Sequence, residues 1–443
     1  MPFGRHIQTG ATVCCDPISW YQRANLIGNP SVFFLGRPGL GKTSAVMRMA
    51  VGLAGMGVSP LVLGDTRPDY IRMVEQLGGQ VIPLGRHRGS LNVLDPGEAP
   101  QAAARLRSAG YDQAADEVLA DAQGLRLNMV LSLITVLRKS EPTARESTIL
   151  SRAIDWLDEH HDGVPLIPDL LQVVRAAPPE LREAALDRGT TSKYQAITEE
   201  LEASLVALCP GGKFGDVFAR PTTQPMRRDR AVVYDVSAIP QSDADLRAVA
   251  LLASWSAGFA VVKTAQTLAD FDLEARRHYF VILDELHQAL KAGPGLVDRV
   301  DYLTRLNRTV GVGLAMITHT MKDLRSLPYE EDRQKAMGFI ERSGLVVCGG
   351  LPFSEMPLLS SIVSLSGAEQ DLLGGWQDPP AWDSKEGQQA PPPGRGKFLV
   401  KVGGRPGIPV DLVLTAAERS LHMSAARWTD QSRTGRIEEG TPA

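Results

Sequence analysis

Apolar residues recur along this chain in two rhythms, and the rhythm changes near residue 99 and again near residue 230. Before residue 99, the runs at 31–35, 60–65 and 80–84 are short, apolar and rich in β-branched and aromatic residues, as buried strands are. Helical spacing follows the first run, from Ser44 to about Val51, and separates the second from the third at 69–77. Strands alternating with helices predict a mostly parallel sheet with helices on its faces. From residue 99 to 213 strand signals are sparse, and the stretches 101–137, 148–157, 167–176 and 195–208 keep helical spacing, which predicts an all-helical insertion. Strand runs return at 231–235, 278–283, 312–318 and 344–348, and a long apolar helix is expected over 243–269. Residues 398–402 and 408–414 flank glycine and proline pairs and predict a hairpin.

The chain is therefore divided into a lead-in segment (1–29), the first part of an α/β core (30–98), an all-α insertion (99–213), the second part of the core with its hairpin (214–427) and a polar tail expected to be disordered (428–443). Residues 377–397, with Pro379-Pro380 and Pro391-Pro392-Pro393, are expected to form a loop. In the lead-in, 12–15 is expected to be a strand broken by Asp16-Pro17, and Trp20 and Tyr21 are read as packing residues, with stacking on a base as the alternative.

One stretch turns this pattern into chemistry. Gly36-Arg37-Pro38-Gly39-Leu40-Gly41-Lys42-Thr43 fits the phosphate-loop pattern, with Ser44 opening the helix behind it. Strand, glycine loop and helix are the context this motif needs, so the expected fold is the RecA-like core of P-loop NTPases. The glycines let backbone N–H groups turn inward around a phosphate, and the helix start adds its partial positive charge. Residues 36–44 are thus the expected ATP cradle, with Lys42 at the terminal phosphates and the Thr43 hydroxyl on Mg²⁺.

The strand 278–283 runs into Asp284-Glu285. An apolar strand ending in two carboxylates is common, but it gains force in a chain with a phosphate loop. Asp284 is expected on the hydrated Mg²⁺, and Glu285 is expected to polarise the attacking water. Two further positions stand with two readings each. Asp65, at a neighbouring strand end, either serves the metal shell or water, or caps the turn that follows. His319, after strand 312–318, either senses the γ-phosphate with Thr318 or satisfies a loop carbonyl.

Bulk composition narrows the setting. The 443 residues are 43% hydrophobic and 22% charged with a net charge of −4, so no global basic signature for nucleic acid is present. The loop 214–230 holds Arg220, Arg227, Arg228 and Arg230 and is read as a solvent-exposed connection, with phosphate or DNA contact as the alternative. Cys14, Cys15, Cys209 and Cys348 form no C-x-x-C pair, which suits neither a zinc site nor a disulfide framework and points to a reducing cytoplasm. The uncharged, strongly apolar run 248–262 is shorter than the roughly 20 residues a spanning helix needs, so no direct membrane span is expected.

The order of these motifs resembles the conjugative-transfer (type IV secretion) ATPases of the HerA/FtsK superfamily of ring-forming motors, over about residues 16–428. The resemblance rests on Asp16-Pro17 ahead of the phosphate loop, Asp65 with Asp69-Tyr70, Leu77-Gly78-Gly79 running into Val81-Ile82, Asn92 and Asp95, Asp284-Glu285-Leu286-His287, and Arg308 followed by Gly311. Two positions depart from it: His319 stands where the family usually has Gln, and Thr66-Arg67-Pro68 replaces a Pro-Glu-Gly-like stretch. The family's usual N-terminal channel-docking domain is not expected from the short lead-in, and the chain reads as a lone motor domain or as one whose docking function lies in another chain.

The resemblance implies a homo-oligomer, a hexameric ring with ATP between neighbours, in which an arginine completes the next subunit's site. Arg308 is the expected one, Arg305 the second choice and a plain surface role the alternative. It also implies partners among secretion or conjugation channel components, possible contact with DNA, and attachment at the inner face of the membrane through partners only. The expected function is Mg²⁺-dependent ATP hydrolysis powering conjugative transfer or secretion. A HerA/FtsK-like DNA translocase and a nucleotide-binding assembly scaffold are the alternatives.

Overall fold

The computed structural model describes residues 1–305, 311–379, 382–383, 388–389 and 392–421. Its spine is a mixed sheet of eleven strands. In chain order these are β1 (Pro2–His6), β2 (Thr12–Cys14), β3 (Ser31–Leu35), β4 (Val58–Asp65), β5 (Gln80–Pro83), β6 (Val232–Asp235), β7 (His278–Leu283), β8 (Val312–Ile317) and β9 (Leu345–Cys348). A two-residue ribbon, β10 (Trp382–Asp383) with β11 (Gln388–Gln389), stands apart, and β12 (Lys397–Lys401) and β13 (Ile408–Leu412) complete the sheet. The spatial order is β2-β1-β13-β12-β9-β3-β8-β7-β4-β6-β5. From β9 to β5 every pairing is parallel. From β9 outward to β2 every pairing is antiparallel.

The helices of the first half are α1 (Pro17–Gln22), α2 (Lys42–Ala54), α3 (Ile71–Gln76), then α4 (Ala99–Ser108), α5 (Asp112–Arg138), α6 (Ala144–His160), α7 (Ile167–Ala176), α8 (Pro179–Ala185) and α9 (Thr191–Leu208). No strand interrupts α4 to α9. Beyond them come α10 (Gly215–Phe218), α11 (Ala244–Asp270), α12 (Leu286–Leu290), α13 (Leu296–Arg305), α14 (Met321–Arg325) and α15 (Glu330–Glu341).

Strand residues alternate between two cores, as a pleated strand requires. Phe33 and Leu35 of β3 join the core shared with α11 and the helical insertion. Val32 and Phe34 join the opposite core, under α1, α2 and α3. Both faces are covered, which is why the central strands read as continuous apolar runs. The α11 helix is long and apolar enough to cross a membrane by length and composition, yet most of it is buried against the sheet. Its approach to β4 is very close: the Ser254 hydroxyl donates to the Leu63 carbonyl at 3.1 Å, and a Cβ on Gly258 would lie 2.5 Å from the Leu63 methyls. Gly258→Val is therefore expected to cost about 1–3 kcal/mol of stability. Denaturant unfolding checks this, and an unchanged midpoint would contradict the close approach.

The helical insertion joins the core through a neck of two strands of chain running side by side. Ser90 N–H donates to Thr223 Oγ1 and Thr223 N–H to the Ser90 carbonyl, both at 3.0 Å. Leu91 N–H donates to the Val217 carbonyl at 2.8 Å, and the Thr222 hydroxyl to Asp95 at 2.8 Å. Arg228, on the outgoing chain, pairs with Glu98 on the incoming one and with Glu274 beyond α11.

Candidate nucleotide-binding and catalytic site

The phosphate loop connects β3 to α2. Gly39 and Gly41 stand at φ +83° and +99°, conformations that L side chains rarely adopt, and Gly41 caps α2 from the left-handed region. The base of the loop is tied to its neighbours: Gly36 N–H donates to the His319 carbonyl at 3.0 Å and Arg37 N–H to the Gly350 carbonyl at 3.1 Å. Beyond this base, the N–H groups of Gly39, Gly41, Lys42, Thr43 and Ser44 form no hydrogen bond to another described residue. They make a nest of donors at a helix start, which suits an anion. Lys42 is buried, and its ammonium donates to the Gly36 carbonyl. Burial pushes Lys42 down to about 8, against the opposing pull of Asp284 and Glu285.

The carboxylates come from the neighbouring strand ends. In the order β3-β8-β7-β4, the phosphate loop follows β3, Thr318 and His319 follow β8, Asp284 and Glu285 follow β7, and Asp65 closes β4. A parallel sheet collects such ends on one edge, where ligands of α/β proteins sit. Asp284 accepts the Glu285 N–H at 2.8 Å and the Tyr70 hydroxyl at 3.1 Å. Burial, and then the adjacent Glu285 charge, push Asp284 up to about 6. Glu285 is buried at φ 53°. Burial raises its pKa, but the hydrogen bond and charge of His319 outweigh this and bring it down to about 2. Its Oε1 lies 3.3 Å from His319 Nε2. Asp65 caps its turn by accepting the Tyr70 N–H at 2.8 Å, while burial pushes its carboxyl well above the usual range.

Raised and lowered carboxylates have opposite consequences for stability. The stability linked to Asp284 is full below its ordinary 3.8 and is lost as pH rises through about 6. At pH 7 its ionised form thus weighs against the folded chain unless a cation neutralises it. Asp284→Asn is expected to raise Tm at pH 7 without ligand and to abolish the further rise that Mg²⁺ with nucleotide brings. Thermal melts at pH 7 decide this, and a variant that melts below the parent would contradict it.

No protein-family model matches the chain, and no curated protein sequence does. Solved structures do match. VirB4 of Thermoanaerobacter pseudethanolicus superposes with a TM-score of 0.65 at 17% identity, over 95% of this chain and 98% of that one. This chain has the fold of VirB4. The bacterial conjugative coupling protein TrwB follows in a sulphate complex, with a TM-score of 0.51 and 12% identity over 87% of this chain and 86% of that one. TrwB in complex with the ATP analogue ADPNP gives 0.50 and 13% over the same shares.

The VirB4-like sheet thus brings Lys42, Asp284, Glu285 and His319 to one edge. Arg308 lies outside the described residues. Trp20 donates its indole N–H to the Cys14 carbonyl at 3.0 Å and packs with Tyr21 against the core under α2. The arginines of the 214–230 loop are ion-paired: Arg220 with Asp216, Arg227 and Arg230 with Asp229, Arg228 with Glu98 and Glu274.

Several contributors to the site carry weaker sequence signals. Tyr70 bridges Asp65 and Asp284 and is fully buried, but only its place beside Asp69 draws notice to it. Arg247 is a buried cation on an otherwise apolar helix face, donating to the Ile239 carbonyl at 2.9 Å with its Nε unpartnered among the described residues. Burial lowers its pKa against the pull of Glu285. A basic residue opening a long apolar helix is the signal that could have found it. His287 reaches Glu285 from α12 and is seen only once the fold is in place.

Proposed function

We propose that this VirB4-like chain is a Mg²⁺-dependent ATPase acting as a homo-oligomeric motor, a hexameric ring that powers conjugative DNA transfer or type IV secretion. The observation that carries this is the meeting of a donor-lined phosphate loop with Asp284, Glu285 and His319 on adjacent strand ends of a nearly full-length VirB4 fold. The residues fit the ligand. Unpaired N–H groups and a buried ammonium suit polyphosphate, and a buried carboxylate whose ionisation is disfavoured suits a bound cation.

Thr43 and Asp284 would hold Mg²⁺, which supplies charge neutralisation at the phosphates. Lys42 leaves the Gly36 carbonyl for the terminal phosphates. Glu285, ionised at any physiological pH, accepts a proton from the water as its oxygen bonds to the γ-phosphorus. The bond to the bridging oxygen breaks, and ADP carries the electron pair away. His319 orients the water or the γ-phosphate. Arg308 of a neighbouring copy, or else Arg305, stabilises the developing charge, an effect of about 10³–10⁵ in rate where such arginines act. Channel components are the proposed partners, and they hold the motor at the inner face of the membrane.

The test is ATPase rate per chain against protein concentration, with and without single- and double-stranded DNA. A rate that climbs with concentration is expected. A flat rate would remove the shared, arginine-completed site. A DNA translocase is the second reading, favoured by the likeness to the TrwB coupling protein. It requires DNA-stimulated hydrolysis that falls steeply with salt.

A further inference from the structure

Glu285 lies between two imidazoles that come from different elements. His319, after β8, places Nε2 at 3.3 Å from Oε1. His287, the second residue of α12, places Nδ1 at 3.5 Å from Oε2. The two rings stand 5.6 Å apart, inclined by 53°. The same His287 nitrogen is 3.4 Å from the Thr318 hydroxyl, so His287 is also tied to the end of β8. Oε2 of Glu285 and Nδ1 of His319 are buried and find no hydrogen-bond partner among the described residues. Glu285 itself holds a left-handed backbone, which a non-glycine residue keeps only where its surroundings enforce it.

These contacts limit what His319 can do. Its Nε2 carries at most one proton, and that proton goes either to Glu285 or to a phosphate oxygen. The two are alternatives. We propose that the His319–Glu285 contact is a latch that the γ-phosphate opens, and that His287 is the positioning residue that keeps the carboxylate aimed once the latch is open.

This rests on the ATPase reading above. With Nε2 on the phosphate, Oε1 is free to accept the proton of water. Among the described residues, His287 is then the one imidazole left within 3.5 Å of the carboxylate, and a turn of its Nδ1–H from the Thr318 hydroxyl to the unpartnered Oε2 holds Glu285 in place. The proposed role is that of a positioning residue, since the contacts of His287 are with Glu285 and Thr318. It acts only through Glu285.

The test compares the full chain with His287→Ala, His287→Asn and Glu285→Gln, measuring kcat, KM and ADP affinity by calorimetry. His287→Ala is expected to lower kcat by about 10²-fold, the scale of a misplaced reacting group, with KM and ADP affinity nearly unchanged. His287→Asn, which keeps a donor near the place of Nδ1, is expected to restore most of the loss. It also keeps the test open should the Ala variant fail to fold. Unchanged kcat in His287→Ala overturns the proposal, as does an equal loss of ADP binding, which marks a merely structural role. An Asn variant as slow as Ala overturns it too. If the parent chain binds ATP but hydrolyses none, the ATPase reading itself falls. If Glu285→Gln lowers turnover while His287→Ala leaves kcat unchanged, the ATPase reading stands and the positioning role of His287 falls.

Discussion

Glu285→Gln is expected to lower kcat for ATP by about 10²–10⁴-fold, the usual worth of a positioned general base. Binding of Mg²⁺-ATP should be retained, since the amide keeps the size of the carboxylate and an oxygen for His319. The loss follows from ionisation. The His319 contact and the neighbouring cations hold Glu285 near 2, so it is a carboxylate at every pH the protein meets. Its linked stability is present above the ordinary 4.5 and is lost only as pH falls towards 2. The variant is therefore expected to be somewhat less stable at neutral pH as well as slow. Single-turnover hydrolysis and calorimetric titration separate the two effects. Turnover at the parent's rate would remove Glu285 from the chemistry. A slow variant that still binds, assembles and supports transfer would remove the motor reading and favour a scaffold.

Lys42→Ala is expected to remove measurable hydrolysis and to weaken ATP binding by roughly 100-fold, the equivalent of one strong charge-assisted contact of about 3 kcal/mol. The ammonium is buried beside the phosphate-loop base, where burial already pulls its pKa to about 8. In the free chain that charge is costly, so the variant should fold at least as well as its parent. The linked cost disappears as pH rises from about 8 towards 10.5. An Ala variant that binds ATP normally would show that the loop N–H groups alone hold the nucleotide.

Much of the site was legible because its pieces are local. The phosphate loop needs only glycines at two turns and a strand and helix on either side. Asp284 and Glu285 announce themselves by closing an apolar run. The long buried α11 was legible from its uncharged run, and the insertion from its unbroken helical spacing. What stayed hidden depends on partners far away in sequence. Pro2–His6 is a strand because β13 and β2 flank it, and five residues with a proline and a glycine do not advertise that. Tyr70 and His287 gain their meaning only when β4, β7 and β8 lie side by side. The basic loop stood with two readings, and the pairing of its arginines with Asp216, Asp229, Glu98 and Glu274 is something no local count of arginines reveals.

The neck beneath the helical insertion has a mechanical consequence. Incoming and outgoing chain are laced together at Ser90–Thr223 and Leu91–Val217 and cinched by Arg228 across Glu98 and Glu274. The insertion is thereby closed like a drawstring bag, so a peptide bond cut among its helices leaves two pieces that remain fastened below the cut. Above the fastening the insertion also lies along α11, sharing its buried core and paired to it at Lys139–Asp245 and Lys263–Asp121, so a pull on its helices reaches the sheet along that whole seam as well as through the neck.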